Sequence, residues 1–120
     1  MSTRNQVIGR WGEEIAVKYL AMNGYKIMAR NVHYTHGEID IVASKDGLLV
    51  FVEVKTRKSH TFAYPEDSVT RRKQAYMLSA AEEYFQAHPE SGENWQFDVI
   101  AVEGTPGGEA QIEHFENVIG

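Results

Sequence analysis

The chain has 120 residues, enough for one hydrophobic core and too few for two, so it reads as a single domain over 1–120. Its 42% hydrophobic and 24% charged residues fit an ordinary globular protein, and the absence of cysteine excludes disulfides and thiolate metal sites. No apolar run approaches the ~18 residues of a membrane span, and the N-terminus opens into a helix pattern rather than a signal-peptide core, so a cytoplasmic protein without a membrane partner is expected. The net charge of −5 weighs against nucleic acid, but its distribution does not: Lys55, Arg57, Lys58, Arg71, Arg72 and Lys73 face only Glu66 and Asp67, a local balance of +4 that leaves −9 elsewhere. A clustered basic segment can neutralise phosphates in an acidic protein, or it can be a solvated face.

In chain order, residues 5–22 predict an amphipathic helix, with Ile8, Trp11, Gly12, Ile15, Ala16, Tyr19 and Leu20 at i, i+3, i+4 spacing. Asn23-Gly24 is its stop. A first strand is expected over 25–32, then a polar turn. Residues 39–44 and 48–54, rich in Ile, Val, Leu and Phe, read as two strands joined at Asp46-Gly47. The stretch 58–66 lacks periodicity and reads as a loop. A second helix is expected over about 68–87, burying Val69, Tyr76, Met77, Ala80, Ala81, Tyr84 and Phe85, with Glu66-Asp67 at its positive end. Residues 95–102 predict a fourth strand and 110–115 a short edge strand. The order α-β-β-β-α-β-β belongs to an α/β mixed sheet flanked by helices.

The hairpin is the informative part. Both central residues of a type I′ turn need φ > 0, which Asp-Gly accommodates. A two-residue Asp46-Gly47 loop pairs Lys45 with Leu48, so that partner numbers sum to 93. Asp40 then lies opposite Glu53, Glu38 lies opposite Lys55, and all four share one face. Carboxylates directly opposite each other repel, and a hard divalent cation between them is one remedy. A solvated face with Glu53–Lys55 as a surface pair is the other reading of the same spacing. Glu38 can pair with Lys55 or serve a second metal, and the pairing is favoured. His33 and His36 are close in sequence, whereas His60 and His114 have no companion.

Asp40, a short hairpin, then Glu53-Val54-Lys55 resembles the PD-(D/E)XK nuclease superfamily, whose members include restriction endonucleases and junction resolvases. Within it the chain is similar to the YraN-like family of small bacterial proteins. Gly9-Arg10-Trp11-Gly12-Glu13-Glu14-Ile15-Ala16 with Tyr19-Leu20 and Gly24-Tyr25 carries the likeness. So do Arg30-Asn31 before Gly37-Glu38-Ile39-Asp40, Phe51-Val52-Glu53-Val54-Lys55-Thr56-Arg57, and Phe97-Asp98-Val99-Ile100. The resemblance covers nearly the whole chain. Glu-x-Lys alone is weak, and the ordered set is fairly specific. The superfamily's nominal proline before the aspartate is Ile39 here.

The resemblance implies a restriction-endonuclease-like fold and hydrolysis of phosphodiester bonds in DNA, branched or structured DNA among the expected substrates, with Mg2+ or Mn2+. Asp40, Glu53 and the backbone carbonyl of Val54 would be metal ligands, and Lys55 would orient water or stabilise charge on the phosphate. Glu13 would reach the metal directly or through water. The helical wheel cannot separate it from Glu14, since the two flank the apolar stripe on opposite sides. Arg57, Lys58, Arg71, Arg72 and Lys73 would contact nucleic acid, and by analogy with related resolvases a homodimer is conceivable. The competing expectation is a non-catalytic nucleic-acid-binding or interaction module that keeps the fold.

Overall fold

The Asp46-Gly47 turn sets the register of the central hairpin. Both residues have positive φ, 51° and 81°, and the flanking strands β2 (Gly37–Lys45) and β3 (Leu48–Arg57) pair antiparallel from Lys45↔Leu48 to Ile41↔Val52. Partner numbers sum to 93 throughout, as the turn chemistry predicts. The computed structural model describes residues 3–57, 70–91 and 94–119.

Around this hairpin the elements follow the expected order: α1 (Arg4–Met22), β1 (Lys26–Tyr34), β2, β3, α2 (Arg71–Ala87), β4 (Trp95–Gly104) and β5 (Ala110–Phe115). The five strands lie side by side in sequence order, with β5 at the predicted edge. β3 and β4 are parallel, joined through the segment that contains α2, and the other pairs are antiparallel. The sheet is therefore mixed. Neither helix is long and apolar enough to cross a membrane.

Each helix covers one face. Ala16 and Leu20 of α1 pack with Ile41, Val50, Val52, Ile100 and Val102. Met77, Ala80, Ala81 and Tyr84 of α2 pack with Val42, Phe51 and Phe97. Period-2 alternation along β3 sends Phe51 to one core and Val50 and Val52 to the other. One member of the predicted α2 stripe is misplaced: Tyr76 is 36% exposed. Val69, Glu66 and Asp67 lie outside the described residues, and the cap of α2 is Thr70, whose side chain accepts from Lys73 N at 3.1 Å. A capping box between Thr3 and Gln6 starts α1.

Alternation fails in β1 between Ile27 and Ala29, where the register shifts and the strand changes core, and a second break follows. Ala29 and Val32 of β1, three residues apart, both pack against the α2-side core, and so do Ile39 and Val42 of β2. This second break falls at Asn31 and Asp40, which stand between the pairs Arg30↔Ile41 and Val32↔Ile39. Asn31 absorbs it with φ 52°, a conformation asparagine tolerates better than most residues. The irregularity takes Asp40 out of the regular two-sided pattern and leaves it beside both the α1 and the β3 side chains.

Candidate metal and phosphate site

The β2–β3 ladder stops at Ile41↔Val52, one residue before Asp40 and Glu53. The expected facing pair thus sits where the strands part. In place of the next backbone rung, Asp40 Oδ2 accepts the Val54 N–H at 2.8 Å. The fork holds Asp40 and the Val54 backbone together and leaves Glu53 and Lys55 on the open side of β3.

Burial and like charge dominate the electrostatics there. The Asp40 carboxyl is pushed up to about 6, chiefly by burial and further by Glu13, Glu53 and Glu38, against the lowering effect of the Val54 N–H. Glu13 is also raised, first by burial and then by Glu38 and Glu14, with Arg30 and a hydrogen bond from Asn31 opposing. The structure separates the two helix glutamates that the helical wheel could not, in the sense that the resemblance implies. Glu14, 55% exposed, takes Arg30 at 2.7 Å, while Glu13, 16% exposed, lies 4.0 Å from the same guanidinium.

Two cations hold Glu53. Lys73 Nζ is 2.5 Å and Lys55 Nζ 3.4 Å from its Oε1. Its other oxygen, Oε2, is buried without a hydrogen-bond partner, and so is Glu13 Oε1. Two orphaned carboxylate oxygens beside a third carboxyl of raised pKa form a donor set that suits a hard divalent cation, because buried acceptors left unpaired are costly. The carboxylates are nevertheless not drawn together. Among the described residues, the three-residue group with ligand atoms within 4.8 Å of one another is Asp98, His114 and Glu116. The two lysines occupy the other oxygen of Glu53.

The Asp98 group has a simpler explanation. Asp98, fully buried, accepts from Gln96 Nε2 and Asn117 N at 2.9 Å each, and its Oδ2 lies 2.6 Å from His114 Nε2. His114 Nδ1 in turn lies 3.0 Å from Tyr19 Oη. Both Asp98 oxygens are thereby satisfied, and the network ties α1 to the β4–β5 edge. The expectation that His114 has no companion was wrong, because its partners lie 16 and 95 positions away.

The remaining predicted residues scatter around the fork. Glu38 makes no ion pair with Lys55; its Oε2 lies 3.5 Å from His33 Nδ1, since the break at Asp40 disrupts the face the four residues were expected to share. Arg57 pairs with Glu103 of β4 at 3.3 Å. Lys73 sits in the first turn of α2, held by the Thr70 cap, and reaches Glu53. Arg71 and Arg72 are exposed on the same turn, with Arg72 Nε donating to Tyr76 Oη at 3.0 Å. Lys58 lies outside the described residues. Sequence reasoning missed Asn31 as a contact of Glu13, because the two lie on separate elements and no local signal joins them.

The family described as Uncharacterised protein family UPF0102 matches residues 12–102, which span Glu13, the fork and β4. A UPF0102 protein of Syntrophomonas wolfei is 43% identical over 94% of this chain and 97% of its own. Another, from Syntrophotalea carbinolica, is 44% identical over 96% and 93%. The structure of Pyrococcus furiosus SfsA in complex with Ca2+ aligns with 93% of this chain at 17% identity and a TM-score of 0.44, the alignment spanning 63% of that chain. That likeness is too distant to bear on chemistry. Near-full-length identity of this order leaves no ambiguity about kinship: the chain belongs to UPF0102, the YraN-like family.

Proposed function

We propose that this protein is a divalent-metal-dependent endonuclease hydrolysing phosphodiester bonds in DNA. The observation that carries the reading is the pair of buried oxygens without a hydrogen bond, Glu53 Oε2 and Glu13 Oε1 (the latter 4.0 Å from Arg30), beside the fork-held Asp40. Asp40, Glu53, Glu13 and the Val54 carbonyl would hold Mg2+ or Mn2+. Such a cation supplies Lewis-acid stabilisation of the phosphate and lowers the pKa of water near it.

The chain's own groups supply the rest. The Val54 N–H fixes one Asp40 oxygen and leaves the other available. Lys55, next to Glu53 on the open side, supplies positive charge where the phosphate gains negative charge in the transition state. Lys73, already on Glu53, comes from a helix start that also presents Arg71 and Arg72, so phosphates flanking the cut meet a cationic edge. Arg57, paired with Glu103, contributes to that edge more weakly.

A non-catalytic binding module is the second reading. The two lysines neutralising Glu53 favour it, since they satisfy part of the acidic cluster without metal. Cleavage of labelled linear duplex, single strand, flap and four-way junction, each with Mg2+ or Mn2+, separates the two. Activity on at least one substrate that disappears in both Glu53→Ala and Lys55→Ala is expected. Equal background from wild type and variants on every substrate would leave the binding module.

A further inference from the structure

The groove does not end at Glu53. A cavity of about 30 Å3 against Glu53 adjoins one of about 110 Å3, and Glu38, Ile39, Lys73 and Met77 line both. The larger space lies between the β1–β2 turn and the first turns of α2. Its distinctive wall is aromatic: the His36 and Tyr76 rings stack at 5.1 Å between centroids and 11° between planes. The Arg72 guanidinium lies 5.9 Å from the Tyr76 centroid, so the pair carries a cation at its rim.

Core packing does not account for this pair. Tyr76 belongs to a helical stripe whose spacing predicts burial, yet it stays 36% exposed against an exposed histidine from the turn between two strands. Nor does the wall suit a phosphate. Glu38 contributes a carboxylate that repels an anion there, and the Lys73 ammonium, 2.5 Å from Glu53, serves the end of the space toward the fork. A flat aromatic surface beside a hydrogen-bond acceptor, in a space of this size, matches an uncharged heteroaromatic ring bearing N–H groups.

We propose that this cavity receives a nucleobase taken out of the helical stack, from a nucleotide adjacent to the phosphate at Glu53, with its ring against the His36–Tyr76 pair. The assignment rests on the nuclease reading of the fork, from which the position of that phosphate follows. It names the substrate class: DNA with an unpaired base at the cut, as in a single strand or a flap, rather than continuous duplex. Aromatic stacking on a base is sequence-tolerant because every base has a π-face. In a continuous duplex the same contact requires unstacking and unpairing first, which favours DNA already open.

The test uses the full chain with oligonucleotides carrying 2-aminopurine, either unpaired or within a continuous duplex, in EDTA so that metal-dependent cleavage does not intervene. Binding is followed by anisotropy and stacking by 2-aminopurine fluorescence, for wild type, His36→Ala, Tyr76→Ala and Tyr76→Phe. Quenching of the unpaired probe is expected on wild type, with affinity for the open strand about tenfold lower in Tyr76→Ala and close to wild type in Tyr76→Phe. Duplex affinity should be the same in all four proteins. Bound but unquenched probe, equal losses on open and paired DNA, or no preference for the open strand would overturn the assignment. The two readings fail differently. Quenching by a protein that never cleaves with Mg2+ or Mn2+ removes hydrolysis and keeps the base site, whereas cleavage of continuous duplex indifferent to Tyr76 does the reverse.

Discussion

Lys73 Nζ lies 2.5 Å from Glu53 Oε1, the shortest ion pair at the fork, and it joins the start of α2 to the middle of the acidic cluster. A lysine so placed competes with any cation for the same carboxylate and repels it by charge. Lys73→Met should therefore raise Mn2+ affinity in the absence of nucleic acid, by about fivefold if the pair behaves like other partly exposed ion pairs. Isothermal titration with Mn2+ measures this. Unchanged or weaker binding would mean that Glu53 is not the oxygen donor the cation seeks.

The Asp40 carboxyl gives a pH signature. Its folded pKa, about 6, lies above the ordinary value of 3.8. Below pH 3.8 the carboxyl is protonated in both folded and unfolded chains and folding meets no penalty. As pH rises through 6 the unfolded chain already holds the charged form, and the folded state must accept that charge in a buried, acidic setting. Asp40→Asn keeps an acceptor for the Val54 N–H and removes the charge. It should be more stable than wild type at pH 8, by on the order of 2 kcal/mol after allowance for solvent screening, with the difference vanishing near pH 4. Thermal melts in EDTA across that range decide it, and a variant less stable at pH 8 would contradict the assignment of the strain to this carboxylate.

Gly12 is where α1 approaches β3. A Cβ there would meet the Thr56 side chain, within 2.1 Å of Oγ1, 3.0 Å of Cγ2 and 3.1 Å of Cβ. At an open helical position Gly→Ala stabilises by about 1 kcal/mol, but overpacking costs about 1–3 kcal/mol, and a β-branched neighbour yields little. The clash should win: Gly12→Ala lowers stability and moves Glu13 away from the fork. Thr56→Ala should return most of the loss in a double-mutant cycle followed by urea unfolding. Strictly additive effects would show that the helix relieves the contact by another route.

Asp98 separates a structural carboxylate from a metal ligand. Asp98→Ala leaves Gln96, His114 and the Asn117 N–H without their acceptor and should destabilise the protein by on the order of 3 kcal/mol. Mn2+ stoichiometry in the folded variant should be that of wild type. A lost equivalent of metal would assign Asp98, His114 and Glu116 a ligand role instead.

What the sequence revealed and what it concealed divide along contact range. The hairpin register was legible because Asp46-Gly47 admits few turn geometries and parity does the rest, so Ile41, Val42, Phe51 and Val52 fall on the faces the numbering predicts. Helix and strand limits followed from periodicity within each segment. The parity break at Asn31 and Asp40 was hidden, since nothing local distinguishes a strand that changes face from one that does not. Lys73 on Glu53, His114 on Asp98 and the exposure of Tyr76 depend on how separate elements dock. Periodicity could not choose between Glu13 and Glu14, because both flank the same stripe; the resemblance chose Glu13, and Arg30 and Asn31, from another element, are what set the two apart.

The fork changes how an intact Asp40 should be weighed. Its carboxylate closes the opened sheet by taking the Val54 N–H, so the residue fastens the fold as well as standing in the site. A descendant that had abandoned chemistry would still need that acceptor, but an asparagine supplies it without the buried charge, so it is the ionisable group at this position, not the acceptor, that bears on activity. Glu53 Oε2 and Glu13 Oε1 hold no such second post. A relative's persistence as an enzyme is better judged from carboxylates kept together at all three positions than from a hydrogen-bond acceptor at this one.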